Sequence, residues 1–377
     1  MRLSILEKRE DVLEILVKSL NNFWLDQKSK IKANSKPFNR SGITFYGNKY
    51  LNFFASKHCD KNNFDVIKKE YANAIVWWRK PLQKFYVWTF TKPIIYRFFH
   101  HYEIQLSGNV TNIEKSWLIM GGNTRIRVIN SINNETLVIL KSNSGTSFIE
   151  SEIYWKSKIK SSVIPNLIKT SLNFFSEELT PGIPINRYKE EMANKYRLKT
   201  YATLYEDVFL IHSFFSTNYA VDLIKSIANK LKRESIFAID YRAKDLAAFF
   251  VGYKVICSVS HGDLQDANII KTKSQCKVID WESVKIRSII YDYVTLFSKT
   301  RESLREKKVI INSIKDYLNN FRAQEEEEIQ INDYYILFLL EELDYRLDYY
   351  SLNIRATNSD MNYLLKLIFL INKEIDR

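Results

Sequence analysis

The chain has 377 residues, enough for two lobes and an appended segment, and its 46% hydrophobic and 14% aromatic content excludes a disordered protein. Its 56 Lys and Arg outnumber 43 Asp and Glu, for a formal charge of +13. Nine glycines and six prolines are too few for a long flexible linker, and no uninterrupted apolar run approaches a membrane span.

The basic excess is concentrated early. Residues 1–110 hold 19 Lys and Arg against 9 Asp and Glu. Leu3 to Trp24 reads as an amphipathic helix. From Tyr71 to Tyr102, rings and bases interleave: Trp77, Trp78, Arg79, Lys80, Lys84, Phe85, Tyr86, Trp88, Lys92, Tyr96, Arg97, Phe98 and Phe99. The expectation is a largely helical extension over 1–110 whose rings pack on the next lobe with the lysines in water. Peripheral association of residues 71–102 with an anionic membrane is the next reading, and nucleic acid is not expected as a partner. Three cysteines of odd count and no metal-like spacing, with a charged start that lacks a signal-peptide core, point to a reducing cytosol, at the inner membrane face if the segment binds lipid.

Next comes a strand, turn, strand, hairpin, strand pattern. Trp117–Met120 is apolar, Gly121 and Gly122 begin a turn, Ile126–Ile129 alternates, and Thr136–Leu140 runs into Lys141. Glycines let backbone amides approach an anion, and Lys141 can reach phosphates as a point charge. Ser147–Ile159 is a helical candidate that offers Glu152 as the carboxylate to orient Lys141, with Glu150 as the alternative. Leu172 to Gly182 then reads as a strand and connector carrying Glu178 and Leu179.

The most informative run is His261-Gly262-Asp263-Leu264-Gln265-Asp266-Ala267-Asn268, followed by Val278-Ile279-Asp280-Trp281-Glu282. Asp263 can accept a proton from a hydroxyl, while the Asn268 amide and the Asp280 carboxylate can serve a divalent metal between nucleotide phosphates. Residues 268–270 and 277–279 read as two strands of a hairpin that returns Asp280 towards Asn268.

These residues resemble the HGDxxxxN and IDWE motifs of the aminoglycoside phosphotransferase and choline kinase-like family, relatives of the protein kinases. The resemblance runs from about Trp117 to the C-terminus. It implies an α+β, two-lobed protein-kinase-like fold: a small antiparallel β-sheet N-lobe with hinge over 111–182 and a mostly helical C-lobe over 183–377. It also implies ATP and Mg as cofactors, Asp263 as catalytic base, and Asn268 and Asp280 as magnesium ligands. Gly121, Gly122, Lys141 and Glu152 would serve the phosphates, and Glu178 and Leu179 the adenine edge. His261 would fix the loop, and Asp292 would cap a helix or brace that loop.

Trp281-Glu282 stands where protein kinases have Phe-Gly, and no Ala-Pro-Glu follows, so a small-molecule hydroxyl is the expected acceptor. Sugars or glycan precursors, amino alcohols and aminoglycosides all remain open, as does ATP against GTP. Acidic groups at Glu325–Glu328, Glu341, Glu342, Asp344 and Asp348, with Tyr345, Tyr349 and Tyr350 as aromatic faces, are candidates to attract a cationic acceptor, though solvated faces explain the charges better. The rival reading is a pseudokinase-type nucleotide-binding scaffold whose extension engages a membrane or partner.

Overall fold

Strands buried on both faces carry large apolar side chains at successive positions, as Phe53–Ser56 and Leu118–Gly121 do at the middle of the main sheet. The structure, a computed structural model, describes residues 3–8, 10–35, 42–72, 77–234, 241–301, 303–321, 330–352 and 358–376; the acidic run Glu325–Glu328 lies outside them. The chain forms two units, Met1–Thr200 with Asp266–Ile279, and Tyr201–Gln265 with Asp280–Arg377.

In the first unit nine strands make one antiparallel sheet: β1 (Lys32–Asn34), β2 (Ile43–Asn48), β3 (Phe53–Ser56), β4 (Tyr102–Ser107), β5 (Leu118–Gly121), β6 (Arg125–Asn130), β7 (Glu135–Leu140), β8 (Leu167–Thr170) and β9 (Phe174–Glu178). Their spatial order is β1-β4-β2-β3-β5-β6-β7-β9-β8. The expected glycine-turn lobe is therefore β5 to β9. The expected extension is helical in part, but it also supplies β1 to β4, which continue the same sheet through the β3–β5 pairing of Phe54 with Ile119 and Ala55 with Leu118. Sequence periodicity missed these strands because they are short and, in β3, apolar at nearly every position. Such a run shows no polar face to mark the period of two.

The two faces of the sheet have separate cores. The helix Val12–Asp26 lays Leu16, Leu20, Phe23 and Trp24 against Phe45, Phe54, Ile104, Ile119, Ile126 and Val128. Neighbouring strand positions Phe53, Ala55, Leu118, Met120 and Ile129 face the opposite way, onto Phe64, Ile67, Val87 and Tyr96. The predicted helix from Leu3 to Trp24 is broken into Leu3–Leu6 and Val12–Asp26. Asp11 caps the second piece by accepting the Glu14 N–H at 3.0 Å. Trp24 also stacks on Trp117, with centroids 5.8 Å apart.

The aromatic segment packs as expected only in part: Tyr71 and Tyr96 join the core around Phe64 and Ile67, and Tyr86 and Phe90 pack against it. Val87 and Tyr96 are buried, whereas Trp78, Leu82, Phe85, Trp88, Ile94, Phe98 and Phe99 are each more than half exposed.

The remaining strands are β10 (Ile183–Pro184), β11 (Phe214–Ser216), β12 (Val255–Ser260), β13 (Ile269–Lys271), β14 (Cys276–Val278) and β15 (Lys285–Ser288). The sheet β10-β13-β14 belongs to the first unit and β11-β12-β15 to the second. Otherwise the second unit is mostly helical, with Tyr219–Arg233, Tyr291–Ser298, Lys307–Phe321, Ile331–Leu352 and Asn358–Ile375 as its main helices. A sheet-rich first unit followed by a helical second is the α+β order the sequence predicts. The helix expected over Tyr201 to Phe215 forms in part: residues 201–204 end the helix Glu190–Leu204, a π-helical turn continues it over Tyr205–Phe209, and Phe214–Ser216 is β11. No described helix is long and apolar enough to cross a membrane.

The shared sheet makes a stability prediction. Phe54→Ala opens a cavity in a fully buried site of the extension and should cost about 3–5 kcal/mol. Urea unfolding checks this, and an unchanged midpoint would mean that the extension strands contribute nothing to the core.

Candidate functional site

In the second unit the fully buried strand β12 delivers His261-Gly262-Asp263 to its end. Gly262 has φ +80°, and a Cβ there would lie 2.3 Å from the Ser283 carbonyl oxygen, so only glycine fits. The Asp292 carboxylate accepts two backbone N–H groups of this loop, His261 at 2.7 Å and Gly262 at 3.0 Å. His261 is buried against Trp281, centroids 4.8 Å apart, and its Nδ1 accepts the Asp263 N–H at 3.2 Å. The loop is thus fixed by its own neighbours before any ligand arrives.

Three side chains meet the Asp263 carboxylate. Gln265 Nε2 donates to Oδ2 at 2.9 Å, Tyr345 OH donates to Oδ1 at 3.3 Å, and Arg301 Nε stands 3.0 Å from Oδ1 as an ion pair. Arg301 is the hub. Its Nη1 donates to both Glu342 oxygens at 2.7 and 2.5 Å, and its Nη2 to the Gly262 carbonyl at 2.6 Å and Tyr291 OH at 2.7 Å. Burial works against the charge of Arg301, yet Glu342 beside it holds the guanidinium pKa well above its ordinary value. Burial likewise opposes ionisation of Glu342, but Arg301 and Arg346 bring its pKa below the usual carboxylate value.

The other acidic candidates of the Ile331–Leu352 helix are held by internal partners. Glu341 accepts from Tyr219 OH and Ser288 OH, both at 2.6 Å. Asp344 pairs with Lys230 at 2.5 Å and with Lys285, and Asp348 pairs with the same two lysines at 2.6 and 3.0 Å.

In the first unit the hairpin forms as expected, one residue out of step in the first strand and one in the second. Ile269 opposes Val278, and the Asn268 carbonyl accepts the Ile279 N–H at 3.0 Å. Asp280 follows directly, in a left-handed conformation with φ +70° that is uncommon for a non-glycine residue. Asn268 is buried, and Arg197 steadies the preceding turn by a bidentate pair to Asp266 at 2.9 and 2.7 Å. An amide oxygen and a carboxylate are the hard donors that magnesium takes, and that ion is usually completed by water and phosphate oxygens. Among the described residues no group of three or more His, Cys, Asp or Glu is placed to hold a metal alone.

The glycine turn is tied to the extension. The Gly121 N–H donates to Asn52 Oδ1 at 3.2 Å, Asn52 Nδ2 donates to the Gly121 carbonyl at 2.9 Å, and a Cβ at Gly121 would strike Leu3. At Gly122 a Cβ would lie 2.7 Å from the Arg125 carbonyl oxygen. Lys141 is buried at the end of β7 and pairs with Glu10. Glu152, on the helix Ser147–Lys158, pairs with Arg125 and, at 2.7 Å, with Lys156, which reaches Glu177 at 2.5 Å. Glu150 is exposed on the same helix. The Glu178 N–H donates to the Asn166 carbonyl at 2.9 Å and the Leu179 N–H to the Asn134 carbonyl at 3.0 Å, while Glu178 Oε2 stands 3.4 Å from Lys277.

In structure the chain is similar to aminoglycoside phosphotransferases and choline/ethanolamine kinases. An ADP-bound aminoglycoside phosphotransferase matches with TM-score 0.45 and 12% identity, over 69% of this chain and 93% of the other. A choline/ethanolamine kinase family protein from Mesorhizobium loti matches at 0.44 and 12%, over 71% and 90%. A choline kinase from Streptococcus pneumoniae matches at 0.44 and 12%, over 71% and 96%. No protein-family model matches the sequence, and no curated protein does.

Sequence reasoning missed Arg301, Arg197, Arg125 and Glu10, and it offered Tyr345 only as an aromatic face for an acceptor, not as a partner of Asp263. None lies in a recognisable motif, and Arg301 stands 38 residues beyond Asp263.

The Arg301–Glu342 pair supports a prediction. Glu342→Gln leaves a buried guanidinium without its main countercharge and should cost about 3–5 kcal/mol. Because the folded pKa of Glu342 is depressed, its stabilisation is complete above the unfolded value of 4.5 and is lost as pH falls through the lower folded value. Urea midpoints between pH 7 and pH 3 should therefore fall less steeply in the variant. Parallel curves would contradict the assignment.

Proposed function

We propose that this chain is an ATP- and Mg-dependent phosphotransferase that moves the γ-phosphate onto a hydroxyl of a small molecule. The carrying observation is the Asp263 loop, locked by Asp292 and Gly262 so that one carboxylate is presented from the end of a rigid strand. Asp263 takes the acceptor's hydroxyl proton as that oxygen bonds to the γ-phosphorus. The bond from the γ-phosphorus to the β–γ bridging oxygen breaks, and ADP carries that oxygen away. Arg301, Tyr345 and Gln265 hold the carboxylate in place and limit its rotation.

Asn268 and Asp280 would bind magnesium, whose chemistry is to neutralise phosphate charge. Lys141 would steady the α- and β-phosphates, with the turn at Gly121 and Gly122 over them and Glu152 behind the sheet lysine. Since the Gly121 amide is already bonded to Asn52, close approach to phosphate would fall to Gly122 and the residues after it. Glu178 and Leu179 would border the adenine. Acceptors in view are a sugar or glycan precursor, an amino alcohol or an aminoglycoside.

Asp263→Asn should bind MgATP as the wild type does while its turnover falls about 10²–10⁴-fold. An acceptor screen followed by ADP release, with nucleotide affinity measured in parallel, checks both halves. Full turnover in the variant removes Asp263 from catalysis. Nucleotide binding by the wild type with no turnover on any acceptor favours the scaffold reading.

Peripheral membrane association through residues 71–102 is the second reading, and the exposed rings favour it. Between Tyr71 and Tyr102 the sequence has five Lys and Arg and no Asp or Glu. The helices Lys80–Phe90 and Pro93–Phe98 expose Phe85, Trp88, Ile94 and Phe98, and Lys92 lies 4.6 Å over the Trp88 ring. Rings at headgroup depth with cations meeting lipid phosphates suit an anionic bilayer surface. Phe85→Glu with Trp88→Glu should abolish co-sedimentation with phosphatidylglycerol vesicles without changing the unfolding midpoint. Equal sedimentation of variant and wild type, or none by the wild type, contradicts it.

A further inference from the structure

Glu152, the carboxylate on the helix Ser147–Lys158, is shared between two cations. Its Oε2 meets Arg125 and its Oε1 meets Lys156 at 2.7 Å, and Lys156 continues to Glu177 at 2.5 Å. The Lys141 ammonium meets a carboxylate from another quarter. It pairs with Glu10, in the short connection between the helices Leu3–Leu6 and Val12–Asp26, and the two side chains are only 4% and 11% exposed.

Glu10 is itself held in place. Its N–H donates to the Leu6 carbonyl at 3.0 Å, and its Oε2 accepts from Asn143 Nδ2 at 3.2 Å. Between those two anchors, the Ser142 N–H donates to Ser19 Oγ of the helix Val12–Asp26 at 2.9 Å. Lys141, Ser142 and Asn143, three successive residues after β7, are thus each fastened to the extension. A lysine on its flexible stem loses much rotamer freedom when it binds a phosphate. Fixing the ammonium during folding leaves less of that loss for ligand binding. An ammonium carries three protons and can bond a carboxylate and phosphate oxygens together. The pair is neutral as a unit, so what Glu10 contributes is direction and not added charge.

Resting on the reading of Lys141 as the lysine that steadies the phosphates, we propose that Glu10 is its positioning residue. The extension supplies a carboxylate that aims the Lys141 ammonium at the α- and β-phosphates, with Asn143 orienting that carboxylate in turn. The nucleotide site thereby reaches into the first ten residues of the chain.

Calorimetric titrations of MgADP and of adenosine into the full chain test this. Glu10→Gln should weaken MgADP about tenfold and leave adenosine unchanged, because only the diphosphate meets Lys141. In a Lys141→Ala background the same substitution should have no further effect, since coupling between two contacting residues vanishes when one is gone. Asn143→Ala, at an exposed position, should give a smaller loss of MgADP affinity at the wild-type unfolding midpoint, and it carries the test if Glu10→Gln does not fold. MgADP affinity unchanged or tightened in Glu10→Gln, equal losses for MgADP and adenosine, or an undiminished effect in the Lys141→Ala background overturns the inference. Wild type that binds no MgADP sinks the phosphotransferase reading and the inference together. Wild-type binding of MgADP that ignores both Glu10→Gln and Asn143→Ala sinks the inference alone.

Discussion

A guanidinium removed from water has to be neutralised, and around Arg301 that requirement organises the second unit. Glu342 supplies the charge, Tyr291 and the Gly262 carbonyl supply further acceptors, and Asp263 stands at the remaining edge. One side chain therefore ties the loop after β12 to the helix Tyr291–Ser298 and to the helix Ile331–Leu352. A buried pair of this kind adds little net stability, since desolvation offsets most of its attraction. Its value is positional. Losing either partner strands a charge, so the loop has few alternatives to the conformation that presents Asp263.

A similar economy of charge links the extension to the sheet. Glu10 reaches Lys141, Asn52 holds both backbone groups of Gly121, and Asn143 donates to Glu10 at 3.2 Å. With β1 to β4 in the same sheet, the first 110 residues are part of the lobe and not an appendage to it. Removing them would strip one face of its helix and leave β5, still paired with β6, as an open sheet edge. A truncation would therefore report on folding before it reported on any partner.

Local chemistry was legible in the sequence, and long-range pairing was not. The β13–β14 hairpin, the helix Ser147–Lys158 and the helices of the last fifty residues follow from periodicity and turn residues that act over a few positions. The contact of Asp292 with the loop was within reach because a known resemblance pointed to it. Arg301, Tyr345 and Glu10 carry no local signature. Each acts on a residue 38, 82 or 131 positions away, and a charged residue reads the same in sequence whether it meets water or a buried partner. In the extension β3 was hidden for a related reason, since burial on both faces erases the alternation that marks a half-exposed strand.

The proposed phosphotransferase chemistry needs Asp280 to serve a divalent ion that enters with the nucleotide. Calorimetric titration of a non-hydrolysable ATP analogue into the intact protein, with and without Mg²⁺, tests it most directly. Mg²⁺ should tighten binding in the wild type, and this gain should disappear in Asp280→Ala, with Mg²⁺-free affinity retained. Affinity indifferent to Mg²⁺ in the wild type, or an undiminished Mg²⁺ gain in Asp280→Ala, would contradict it.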